Sequence, residues 1–111
     1  MASGKYWAGT LPANTFQDTG QVPTGKVRSV TINLVNNGQS AATCDIYVST
    51  SATPSDGDLV EANVSIPAVN GLLNRTGEII SAGERVVIRA NTNTVAARLS
   101  GFEENEQWLV F

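Results

Sequence analysis

Histidine is absent from this chain, and cysteine occurs once, at Cys44. These two facts remove whole classes of chemistry. Without histidine no Ser–His or Cys–His pair can activate a nucleophile. One cysteine and no histidine also leave zinc short of its usual ligands, and a lone cysteine closes no intramolecular disulfide. Charge is sparse: 15% of the 111 residues, for a net charge of −3, against roughly 25% in ordinary domains. The basic residues are scattered from Lys5 to Arg98, so no clustered face neutralises phosphates and nucleic-acid binding is disfavoured. No apolar run reaches the length of a membrane-spanning helix, so no membrane partner is expected. The opening MASGKYWAGTLP lacks the basic head and apolar stretch of a secretory signal, and synthesis in a cytoplasm is the expectation. Lys, Glu and Leu, the strong helix formers, are scarce.

What the chain has instead is short alternating runs between polar turns. From Val27 to Val35 (VRSVTINLV), Val30, Ile32 and Leu34 alternate with Ser29, Thr31 and Asn33, the period of a half-buried strand. From about Ala41 to Ser49, Ala42, Cys44, Ile46 and Val48 alternate with Thr43, Asp45 and Tyr47. Asn36-Asn37-Gly38 lies between them and supplies residues that tolerate positive φ, so the two runs read as a β-hairpin. Further strands are expected at Leu59–Ile66, with Val60, Ala62, Val64 and Ile66 on one face, at Leu72–Ile80, at Arg85–Ala90 and at Val95–Phe102. Val69-Asn70-Gly71 reads as a turn. Turn signals recur every 8–12 residues, the spacing of a β-sandwich. The expected fold is all-β: one antiparallel β-sandwich of about seven strands, immunoglobulin-like or jelly-roll-like, over residues 25–104. Residues 1–24, punctuated by Gly4, Gly9, Pro12, Gly20 and Pro23, read as an irregular N-terminal arm. Residues 105–111 form an apolar tail.

The reactive side chains make no convincing constellation. Lys5 and Lys26, the only lysines, sit in flexible or turn sequence, where a desolvated amine for a Ser–Lys pair is not set up. Asp56, Asp58 and Glu61 offer oxygens at short spacing around Gly57, but not in the twelve-residue calcium-loop pattern or as two carboxylates flanking a sugar cleft; they read as a solvated turn. Glu103, Glu104 and Glu106 read as an acidic rim. Cys44 reads as a small buried hydrophobe. No catalytic, cofactor or metal residue is assigned, and no enzyme is expected.

Association gives the sharper signal. Gln107 is followed by Trp108, Leu109, Val110 and Phe111; exposed, they would make an apolar patch that needs explanation. Either this segment folds back as an edge strand of its own sandwich, or it inserts into a neighbouring subunit as an added strand or aromatic anchor. Tyr6 and Trp7 pose the same choice. These six are the candidate partner-binding residues.

Two stretches carry a resemblance. KVRSVTINLVNNGQSAATCDIYVST (26–50) resembles the strand–NxG–strand segment of immunoglobulin-like adhesion and repeat modules. Taken with the following residues, and above all with the pattern from Ser81 to Glu104 (SAGE, apolar strand, Asn/Thr turn, strand, GFEE), residues 24–104 resemble small virion proteins of tailed bacteriophages, the head decoration and tail- or fibre-associated β-sandwich subunits. The resemblance implies a non-enzymatic structural role in the virion, with the major capsid or a tail protein and further copies of the chain as partners, a homotrimer being the first expectation. It supplies no catalytic residue. A receptor- or carbohydrate-binding fibre or baseplate module is the alternative.

Overall fold

The computed structural model describes residues 4–105. Eight strands run in the order β1 (Gly4–Thr10), β2 (Gln17–Gln21), β3 (Lys26–Asn36), β4 (Ala42–Ser49), β5 (Leu59–Ile66), β6 (Gly71–Ser81), β7 (Arg85–Ala90) and β8 (Val95–Asn105), with one 3-10 turn at Asp56–Asp58. They form two four-stranded sheets, β1-β8-β3-β6 and β2-β7-β4-β5. β1 pairs with β8, β2 with β7, β3 with β6 and β4 with β5, all antiparallel. This is one long hairpin nested four deep. It is rolled so that β8 also meets β3 and β7 also meets β4. Of the two expected sandwich types, the order is the jelly roll's. An immunoglobulin sandwich keeps several sequence neighbours side by side; here only β4 and β5 are.

The inner faces are the alternating residues of the sequence. Val30, Ile32 and Leu34 of β3 and Val95, Ala97 and Leu99 of β8 meet Ala42, Cys44 and Ile46 of β4 and Val86, Ile88 and Ala90 of β7, all buried. Ile66 of β5, Ile80 of β6 and two connecting residues, Leu11 and Val22, also belong to this core. One end of it carries charge. Arg28 and Glu103 pair at 2.9 Å, both largely shielded from solvent, and the Arg28 guanidinium lies 4.2 Å from the centre of the Tyr6 ring. A shielded pair of this kind penalises loss of either partner far more than it rewards presence of both.

Three expectations change. First, β3 and β4 are not a hairpin: they lie in different sheets, and Asn37 and Gly38 do not take up positive φ. Alternation reports which face of a strand is buried, not which strand lies beside it. Second, residues 1–24 are not an irregular arm throughout, because β1 and β2 are edge strands within them. β2 (QDTGQ) was invisible to hydrophobic periodicity: its one buried side chain is Thr19, whose hydroxyl donates to the Val86 carbonyl at 2.7 Å. β1 breaks its own alternation with a register shift between Lys5 and Trp7. Third, Ala62 does not share a face with Val64 and Ile66, and a second register shift, at Val60, interrupts the strand again. A bulge sets Ala62 and Asn63 against the single residue Asp45, so Glu61 stands opposite Ile46. A matching shift in β6 places Arg75 opposite Ile32 and Glu78 opposite Val30. Glu61, Arg75 and Glu78 then join in ion pairs along the side of the sandwich formed by edge strands β5 and β6. Bulges and inward-turned charge are how natural sheets discourage edge-to-edge pairing.

The connection after β3 is organised by one buried side chain. The Asn36 amide donates to the carbonyls of Ser40 (2.9 Å), Ile66 (3.1 Å) and Pro67 (3.3 Å), while its oxygen accepts from the Gly38 N–H (3.0 Å) and the Thr94 hydroxyl (2.8 Å). Its backbone carbonyl accepts from the N–H of Asn70. The turn Val69–Asn70, both at positive φ, is thereby tied down, and Gly71 follows because a Cβ there would lie 2.0 Å from the Pro67 carbonyl oxygen. Asn36→Ala strands several of these groups at about 1–3 kcal/mol for each that stays buried. We expect a loss of about 3 kcal/mol or more, read as a drop of roughly 10 °C or more in the thermal midpoint by calorimetry. Asn36→Asp, which keeps shape but loses the donors, should not rescue it.

Candidate functional site

Four of the residues considered for catalysis or for a cation, Asp58, Glu61, Lys26 and Cys44, are engaged or buried within the fold. Asp58 closes the 3-10 turn: its carboxylate accepts from the Ser55 N–H at 3.0 Å. That backbone bond, helped by the Ser49 and Ser55 hydroxyls, holds its pKa below the ordinary carboxylate value. Glu61 is taken up by Arg75, and the Lys26 ammonium donates to the Asn105 side chain at 2.6 Å. Among the described residues no group of three or more His, Cys, Asp or Glu is placed to hold a metal ion. Cys44 lies in the core, and burial, with the neighbouring Asp45 carboxylate second, pushes its thiol up to about 11.

Two surfaces stand out. The first is the outer face of the β1-β8-β3-β6 sheet. The register places Phe102, Ser29 and Ile79 in one row across β8, β3 and β6. Phe102 is 67% and Ile79 61% exposed. The small Ser29 between these two large side chains opens a recess of about 170 Å³, also bordered by Val27 and Glu104. Gly101 sets up the approach: a Cβ there would fall 1.9 Å from the Ser29 carbonyl oxygen, so β8 can run this close to β3 only with glycine. Six residues along β3, roughly 20 Å away, a second row crosses Ala96, Val35 and Leu72. Leu72 is exposed, and so is Val69 in the turn leading into β6. Val69 is a β-branched residue at φ 56°, a conformation that ordinarily costs such a side chain about 1–2 kcal/mol.

The second surface is polar and lies on the outer face of the other sheet. Asn14, Thr43, Asp45, Asn63, Arg89 and Asn91 line a recess of about 130 Å³. Asp45 and Arg89 are cross-strand partners on β4 and β7. One Asp45 oxygen accepts from the Asn63 N–H at 2.7 Å, which holds the bulge residue Asn63 at φ 51°. The Arg89 guanidinium sits 5.3 Å from the centre of the Phe16 ring, and that ring meets Tyr47 edge-on. The recess thus offers a carboxylate, a guanidinium and several amides beside an aromatic.

Of the six candidate partner-binding residues, Tyr6 and Trp7 are half-buried and pack against the core of their own protomer. Tyr6 covers Arg28, and the Trp7 ring lies against Gly9. Trp108, Leu109, Val110 and Phe111 fall outside the described residues. Sequence reasoning missed Val69, Leu72, Ile79 and Phe102. A signal was available: each breaks the expectation that outward strand positions and turns are polar. Comparison with protein-family models, with curated proteins and with solved structures finds no match for this chain.

The burial of Cys44 has a measurable consequence. In the folded protein the thiol should resist iodoacetamide at pH 8 and react at the ordinary rate once urea unfolds the chain. Because the folded pKa is raised, the stability linked to this group is intact below the pKa of an unfolded cysteine. It is lost as pH rises from there towards 11. Urea titrations at pH 8 and pH 10.5 compare the two regimes, with Cys44→Ala, free of this term, as the control.

Proposed function

We propose that this protein is a non-enzymatic structural subunit of a tailed-phage particle, binding the major capsid or a tail protein and further copies of itself through the outer face of its β1-β8-β3-β6 sheet. The observation that carries the reading is the set of four large apolar side chains, Val69, Leu72, Ile79 and Phe102, exposed on or beside that one face. The side chain of Val69 is largely turned to solvent from a β-branched residue at positive φ. Contact with a partner gives it a use. The resemblance of residues 24–104 to phage virion subunits points the same way, and jelly rolls recur in viral capsids; that association belongs to the fold and not to this site.

Magnitude favours an array over an isolated pair. Covering four side chains that are already partly buried is worth roughly 1–1.5 kcal/mol each, or about 5 kcal/mol together. Association alone costs about 4–15 kcal/mol. One such face holds one partner weakly. Repeated around a particle, the same contact accumulates through avidity.

Quantitative mass spectrometry of gradient-purified particles should recover the chain in multiple copies per particle. Phe102→Asp, at an exposed position, should leave the circular dichroism spectrum unchanged and reduce incorporation at least tenfold. Absence of the wild-type chain from particles would refute the reading.

The polar recess favours a second reading, recognition of a glycan on a host surface. Carboxylate, guanidinium and amide groups beside an aromatic are the side chains that meet sugar hydroxyls and ring faces. Binding on a glycan array that is abolished by Asp45→Ala would support it, and silence on the array would count against it.

A further inference from the structure

We infer that the polar recess over β4 and β7 holds one uncharged sugar ring by two neighbouring hydroxyls, one donating to Asp45 and the next accepting from Arg89. The inference rests on the glycan reading of this recess and names the class of sugar and the residues that hold it. Asp45 and Arg89 stand directly opposite each other on adjacent strands, where opposite charges ordinarily pair. Here they do not: among the described residues the ion pairs are Arg28 with Glu103, Arg75 with Glu61 and Glu78, and Arg85 with Asp18. Each of the opposed charges is held by a third group instead. Asp45 accepts from the Asn63 N–H of the β5 bulge at 2.7 Å, and the Arg89 guanidinium lies 5.3 Å from the centre of the Phe16 ring. Both line the recess of about 130 Å³.

Two asparagines on its rim are fixed through their backbones. Asn14 and Asn63 take φ values of 52° and 51°, which asparagine tolerates. The Asn14 N–H donates to the Ala90 carbonyl at 2.7 Å, as that of Asn63 does to Asp45. Their side-chain amides take no part in these bonds. Asn91 accepts from the Thr43 N–H at 2.9 Å through its side-chain oxygen and keeps its NH2 group as a donor.

Charge selects the ligand. One carboxylate and one guanidinium cancel, so the recess is formally neutral. An acidic sugar or a phosphate drawn to Arg89 would also meet the Asp45 carboxylate, a like charge. A calcium ion would find one carboxylate where it takes six to eight oxygens. A hydroxyl suits both ends: a carboxylate only accepts, a guanidinium only donates, and a hydroxyl does either. Adjacent ring hydroxyls do both at once. The volume admits one ring and leaves the rest of a glycan in solvent. Because the recess lies on the sheet opposite Phe102 and Ile79, sugar and particle contacts do not compete.

The test displays the full chain on beads, so that weak single-ring contacts add, and reads it on an array of neutral hexose-terminated and acidic uronate-terminated glycans. The expected result is retention on neutral termini. Asp45→Asn and Arg89→Met should each reduce it at least about tenfold, the loss of one charge-assisted hydrogen bond. Asn14→Gly, which removes an amide where positive φ suits glycine, should reduce it less, and Phe102→Asp should bind as wild type. Retention confined to acidic termini, or neutral binding that survives both charge substitutions, overturns the inference and leaves the glycan reading standing. Silence on every glycan removes both. Circular dichroism separates lost binding from lost fold. Should Asp45→Asn, which weakens the hold on Asn63, alter the spectrum, Arg89→Met decides, since Arg89 has no ion pair to lose among the described residues.

Discussion

The amide of Asn36 is the constraint on which the rest of this sandwich depends. A jelly roll sends the chain from one sheet to the other after almost every strand, and each crossing exposes backbone groups at a corner. Here one side chain serves the connection after β3, the end of β5, the turn into β6 and, through Thr94, the approach to β8. Apolar faces of similar shape would pack in several registers. A fully buried amide with donors and acceptors in fixed directions accepts few.

The sandwich class and the four central strands, β3, β4, β7 and β8, were legible from their alternation, although their pairing was not, and burial departs from alternation at Tyr47 and Val87, which are buried on the other face. What was not legible has physical causes. Thr19 does for β2 what a valine would do elsewhere, through a hydrogen bond and not through apolar area. The bulges opposite Asp45 and Thr31 reset the phase of β5 and β6, so a period of two misplaces half of each strand. Asn-Asn-Gly resembles a tight reversal in composition, yet here the first asparagine is held inside the corner by tertiary partners, and Val69–Asn70 adopts the positive φ values instead. The candidate contact face was hidden for a related reason. Phe102 and Ile79 are read as ordinary strand residues until the register shows them flanking one serine.

The surface divides its tasks. Along β5 and β6 the open edges are bulged and carry Glu61, Arg75 and Glu78, which keeps unplanned strands away. The broad face beside β6 keeps its apolar side chains exposed. A protein that must meet chosen neighbours in a crowded assembly benefits from both: a contact made through side-chain shape on a face, and edges on which indiscriminate backbone pairing is discouraged.

The nesting of strands has one more consequence, for the order of events on the ribosome. Gly4 pairs with Gly101, and β2 with β7, so β1 and β2 wait for strands translated well after them. Only β4 and β5 can pair with a sequence neighbour as they emerge. The pairings of β8 with β1 and β3 are therefore deferred until synthesis has passed β8, and nascent chains of this protein must stay soluble by composition, with the frequent Asn, Ser, Thr and Gly of their turns, before they can stay soluble by being folded.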